Sequence, residues 1–160
     1  MEIKNIKIEK PGDLNIIIGQ AHFIKTVEDL YEALAGSSTN IKFGLAFCES
    51  SGPCLVRSEG NDQALKKLAE DMAIKVGAGH SFFVIMRDAF PINVLNAIKN
   101  IPEVCSIFCA TANTAEVIVA ETEQGRGILG VIDGLKPRGV ETDKDIKDRK
   151  DLLRKFKYKL

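Results

Sequence analysis

The chain of 160 residues has no tryptophan, only two histidines and no surplus charge, with 22 Lys+Arg against 22 Asp+Glu. A balanced chain has no field to draw in a polyanion, and its basic residues cluster only near the C-terminus, so nucleic-acid binding is not expected. No uncharged run approaches the ~20 residues that span a bilayer, and the N-terminal Met1-Glu2-Ile3-Lys4 lacks the apolar core of a signal segment. The expectation is a cytoplasmic protein that does not enter membranes. The four cysteines contain no Cys-x-x-Cys pair. Cys48 and Cys54 could meet across a hairpin. Cys105 and Cys109 on one strand would lie about 13 Å apart, too far to share a metal. Reduced, packing cysteines are the expected state.

Equally absent are a G-x-x-x-x-G-K-[ST] phosphate loop and the H-R-D and D-F-G segments of protein kinases. Gly125-Arg-Gly-Ile-Leu-Gly130 matches G-x-G-x-x-G, but it leads into a strand rather than a helix. It reads as a tight hairpin. Arg126 at its tip has the planar fork that grips phosphate or carboxylate, although a solvated arginine is the commoner case.

What is present is ordinary globular material, 45% hydrophobic and 28% charged, of a length suited to one domain over residues 1–160. Residues 3–9 and 14–19 are strand-like and flank Lys10-Pro-Gly-Asp13, which predicts an opening hairpin. A helix follows with Thr26 as N-cap and Gly36 as its end. Residues 41–48 and 55–57 read as strands around Glu49-Ser-Ser-Gly-Pro53. A second helix begins with Asn61 as N-cap and stops at Gly77. Beyond it lie a strand over 81–86, a short helix, strands over 104–110, 116–121 and 128–132, and a charged C-terminal helix. That order predicts a single α+β domain, with helices packed on a mixed, largely antiparallel sheet.

One stretch stands out, Val76-Gly-Ala-Gly-His-Ser-Phe-Phe-Val-Ile-Met86. Gly77 and Gly79 suit a sharp turn and close ligand approach, and they place His80 at the mouth of an apolar strand. His80 reads as a nucleophile toward phosphorus, a general base, or a histidine that satisfies a backbone carbonyl. Spacing alone favours the last. His22, just before the first helix, has the same alternatives. Glu49, Ser50, Ser51 and Gly52 bring a carboxylate, two hydroxyls and accessible amides that could hold a ribose or a phosphate, or simply form a polar turn. Asn93, Asn113 and Asp133 fall near element ends, where capping is usual. Two histidines and Glu49 lack the i, i+4 spacing of a metal site, and no metal is expected.

Six ordered blocks carry a further observation: Gly19-Gln-Ala-His-Phe-Ile-Lys-Thr-Val-Glu-Asp-Leu30, Phe43-Gly-Leu-Ala-Phe-Cys-Glu-Ser-Ser-Gly52, Gly77-Ala-Gly-His-Ser-Phe82, Phe90-Pro-Ile-Asn-Val-Leu95, Cys109-Ala-Thr-Ala-Asn113 and Gly125-Arg-Gly-Ile-Leu-Gly-Val-Ile-Asp-Gly134. With them the chain resembles the adenosine-specific kinase family over nearly its whole length. The resemblance implies a homotrimer or hexamer that binds adenosine or AMP, with no other cofactor, and carries a phosphate on a histidine, by position His80. Glu49 would then orient or deprotonate His80, and His22, Ser50, Ser51, Gly52, Gly79, Asn113 and Arg126 would contact the ligand. The alternative is an oligomeric nucleotide sensor without turnover. Thr114 stands where the family pattern often has proline, so the turn at Asn113 is expected to differ.

Overall fold

The computed structural model describes all 160 residues. Eight strands and four helices follow in the order β1 (Glu2–Ile8), β2 (Asn15–Ala21), α1 (Thr26–Ser37), β3 (Lys42–Cys48), β4 (Val56–Gly60), α2 (Gln63–Val76), β5 (Ser81–Arg87), α3 (Pro91–Lys99), β6 (Val104–Thr111), β7 (Ala115–Glu121), β8 (Arg126–Asp133) and α4 (Asp143–Lys155). The fold is α+β, as the element order implies. The strands divide between a five-stranded sheet, β4-β3-β5-β2-β6, and a three-stranded sheet, β1-β7-β8. Every pair within them is antiparallel, and the one parallel contact is an isolated bridge between Ala78 and Arg126.

The expected opening hairpin does not form. The Pro11 turn closes locally through the Leu14 amide to the Pro11 carbonyl at 3.2 Å. Its two flanking strands then enter different sheets, β1 beside β7 and β2 between β5 and β6. Burial decides the matter. β2 is apolar on both faces and needs a central position, whereas β1 alternates toward solvent and can lie at an edge.

β5 shows how the sheet organises two cores. Phe82, Val84 and Met86 point to one face, where they join Phe43, Leu45 and Phe47 of β3 and the apolar sides of α1 and α3. Phe83 and Ile85 point to the other, toward Leu65, Ala69 and Ala73 of α2 and toward Val117 and Val119 of the smaller sheet. Burying each such side chain contributes about 1.5–3 kcal/mol, so a strand apolar on both faces can only be central.

α2 comes unusually close to this sheet because β3 carries Gly44. A Cβ there would stand 2.1 Å from the Lys66 amide and 2.2 Å from the Leu65 carbonyl carbon. Asp62, not the expected Asn61, caps α2, its Oδ1 accepting from Ala64 N at 3.0 Å and Leu65 N at 3.1 Å. Asn61 instead ties down the start of β3, accepting from Phe43 N at 2.9 Å and donating to Ile41 O at 2.8 Å. At the first helix, Lys25 holds the N-cap position without a side-chain cap, and Thr26 donates to Phe23 O at 2.5 Å. α1 runs past Gly36 to Ser37. α4 buries no side chain and lies outside both cores.

Candidate active site

α2 ends as its sequence requires, with Gly77 left-handed at φ 62° and its amide bonded to Ala73 O at 2.8 Å. The chain then turns into β5, but Gly79 does not supply the second left-handed residue. His80 does, at φ 59°. A side chain in that region clashes with its own carbonyl, a strain that persists only where the surroundings impose it. Here they do. His80 N donates to Cys48 O at 2.8 Å, and its carbonyl accepts from Ala21 N at 2.9 Å, which clamps the residue between the ends of β3 and β2.

The imidazole stacks on Phe47, with ring centroids 5.7 Å apart and planes 15° from parallel. Its Nε2 faces Glu49 Oε1 at 3.9 Å, beyond hydrogen-bond reach but within that of an ion pair. The His80 side chain remains 33% exposed, so a reactant can reach it, while that of Glu49 is only 11% exposed. Glu49 is held by its own loop, Oε1 accepting from Ser50 N at 3.1 Å and Ser51 Oγ at 3.3 Å. Gly52 at φ 57° and Cys54 at φ 49° complete that turn. Cys48, Cys54, Cys105 and Cys109 are all free thiols. Burial raises the Cys48 thiol above its usual range.

A cavity of about 720 Å³ opens on the far side of Glu49, toward the end of α2 and the β7–β8 hairpin. Glu49, Ser50, Gly79 and Arg126 line it together with Cys54 and Gln124, and the His80 ring does not. Gly79 matters there by its lack of a side chain, since a Cβ would lie 2.8 Å from that of Ser50. Arg126 is largely committed to structure. Its Nε donates to Glu121 at 2.6 Å, and its Nη1 reaches the Lys75 and Val76 carbonyls at 3.2 Å each, capping the negative end of α2. Lys4 and, after it, Arg126 hold the Glu121 carboxyl below its ordinary range.

His80, Glu49, Ser50, Ser51 and Gly79 therefore converge, with Gly52 at the turn and Arg126 across the cavity. His22 is exposed and stands one residue beyond Ala21, its amide bonded to Glu103 O at 3.1 Å. Asn113 is not brought in. Its Nδ2 donates to Asp133 at 3.0 Å and its amide to Thr111 Oγ1 at 3.0 Å. Thr111 pairs with Ile16, at the end of β2 remote from Ala21. Strand geometry sets that end roughly 16 Å from His80. Asn93, by contrast, is a cap, accepting from Phe90 N at 2.8 Å.

Spacing does not point to Phe47, the ring beneath His80. Its only signal is the alternation of β3, which puts Phe47 and Glu49 on one face. Glu103 was also missed. It is 4% exposed, and Lys25 Nζ approaches one of its oxygens at 3.2 Å without the geometry of a hydrogen bond.

Comparison with known proteins places the chain in a family. A family model described as adenosine specific kinase matches residues 6–159. A search of curated proteins gives no match. Among solved structures, the PH1918 protein from Pyrococcus horikoshii OT3 is similar at 49% identity and a TM-score of 0.95, over 99% of this chain and 98% of that one.

Proposed function

The chain belongs to the adenosine-specific kinase family, and from that premise we propose that it binds adenosine or AMP and passes a phosphoryl group through Nε2 of His80. The observation that carries the reading is the clamped, partly exposed imidazole whose Nε2 faces Glu49 at 3.9 Å. In the first step the Nε2 lone pair attacks the phosphorus of a donor. An N–P bond forms, the P–O bond to the donor breaks, and the donor leaves with that electron pair. In the second, the nucleoside hydroxyl attacks the same phosphorus, the N–P bond breaks back to Nε2, and the hydroxyl proton passes to Glu49 or solvent. Stacking on Phe47 fixes the ring plane, so the attacking lone pair is aimed before the donor arrives. Ser50 and Ser51 would contact ribose or phosphate beside Glu49, with Gly79 leaving room and Arg126 offering its remaining Nη2 across the cavity. His22 and Gly52 border the same end of the sheet.

The test is intact-mass analysis after incubation with phosphoramidate, a small phosphoryl donor to imidazole. Wild type should gain one acid-labile phosphate and His80→Ala none. An equal adduct on both would sink the assignment.

One observation favours a second reading. At 3.9 Å Glu49 does not yet share a proton with Nε2, and most of the Arg126 donors are spent within the protein. That suits an oligomeric nucleotide sensor without turnover. Formation of AMP from adenosine with ATP as donor would exclude it. In either reading we infer a homotrimer or hexamer, supported by exposed apolar side chains such as Leu129, Ile132, Leu135 and Phe156. No helix is long and apolar enough to cross a membrane.

A further inference from the structure

A phosphoryl group on Nε2 of His80 would carry between one and two negative charges, and the Glu49 carboxylate stands 3.9 Å from that nitrogen. Like charges at this distance oppose each other, so the modified site requires a cation. The neighbouring cations are mostly engaged. Arg126 caps α2 and pairs with Glu121. Lys25 lies between Asp29 and Glu103, 3.2 Å from each.

Arg57 of β4 is different. It forms no ion pair, and its Nε is shut away from solvent without a hydrogen-bond partner. A buried N–H on a guanidinium is costly to leave unpaired, which makes its empty valence informative. The sheet register pairs Arg57 directly with Phe47, so both side chains leave the same face. Residues opposed in this way have Cβ atoms about 5 Å apart. The His80 ring lies over that same Phe47, at 5.7 Å. Arg57 and His80 are thus both neighbours of Phe47, with Glu49 two residues beyond it, just past the end of β3. Arg57 also lines a separate cavity of about 550 Å³ beside Lys25 and Ser58, whose acidic members, Glu28 and Glu59, are solvent-exposed.

We propose that Arg57 is the residue that reads the phosphate: its guanidinium grips two oxygens of the phosphoryl group of a nucleoside monophosphate at His80. The planar fork matches phosphate oxygens in pairs, which lysine cannot reproduce. The inference rests on the reading that a nucleoside or nucleotide binds beside His80, and it adds the group that separates AMP from adenosine.

Calorimetric titration of the full chain with adenosine and with AMP tests both separately. Arg57→Gln should bind adenosine as wild type does and bind AMP about 10- to 100-fold more weakly, the usual weight of a charged hydrogen bond. Arg57→Lys should fall between, since it keeps the charge and loses the fork. If wild type binds both ligands and Arg57→Gln binds AMP undiminished, this assignment is overturned while the nucleotide reading survives. Equal loss of adenosine and AMP in Arg57→Gln would make Arg57 a support of the fold and likewise overturn it. Wild type that binds neither ligand would remove the underlying reading, and this inference with it.

Discussion

Replacing His80 by alanine and by glycine should reverse the order of stability those two residues usually follow. Both substitutions delete the imidazole and its stacking on Phe47, so the difference between them isolates the backbone at φ 59°. Alanine keeps the Cβ that clashes in the left-handed region, at about 1–2 kcal/mol. Glycine removes that clash but adds freedom to the unfolded chain, at about 0.5–1 kcal/mol. The net should favour glycine by about 0.5–1 kcal/mol, or roughly 1–4 °C in Tm for a chain of this size. Thermal and urea unfolding at one protein concentration measure it, the fixed concentration removing any contribution from assembly. Alanine more stable than glycine would show that residue 80 is not held left-handed, and the argument that the fold imposes strain on this histidine would fall with it.

Two further outcomes test the scaffold. Gly44→Ala drives a Cβ to 2.1 Å from the Lys66 amide and should cost about 3 kcal/mol or more, because the backbone of α2 must move, whereas Gly36→Ala meets nothing within 4 Å and should stabilise by roughly 0.5 kcal/mol; melting curves of the two variants should shift in opposite directions. Burial and the nearby Asp133 push the Cys109 thiol up to about 11 from an ordinary 9.0, so the unfolded chain ionises first and stability should fall as pH rises from about 9 to about 11, at up to about 1.4 kcal/mol per pH unit. Cys109→Ala should flatten that fall, and on the native protein only the exposed Cys54 and Cys105 should react with a thiol reagent at pH 8.

The elements were legible where periodicity and turn chemistry are local. The apolar stripe of α2 and its stop at Gly77, the apolar run of β5 and the antiparallel character of the sheets can all be read from the chain. Strand partnership was not, because the Lys10-Pro-Gly-Asp13 turn forms without joining its flanking strands to each other. Turn chemistry specifies a reversal of direction, and only competition for buried positions specifies the neighbour. The candidate site divides in the same way. A histidine among glycines, and the Glu49–Ser51 turn, are visible as residue types at suggestive spacings. Phe47 becomes a neighbour of His80, and Arg57 of Phe47, only through the β3–β5 and β3–β4 registers, which no single segment contains. Asn113, which the resemblance implies as a ligand contact along with Ser50, lies at the opposite end of β2.

The division of β1 and β2 between two sheets also bears on how the chain is made. Lys4 finds its partner Glu121 only across a separation of 117 residues. At roughly 5–20 residues per second, β1 leaves the ribosome about 6–23 s before the strand that pairs with it has been synthesised. Through that interval its backbone groups have no sheet to join, and Ile6 and Ile8 have no core to enter. Lysines at positions 4 and 7 interrupt its apolar residues, the pattern by which charges discourage premature pairing of an unpartnered strand. The β1-β7-β8 sheet therefore cannot close until β8 has been synthesised, and the elements around the Arg126 side of the cavity are complete only when the polypeptide nearly is.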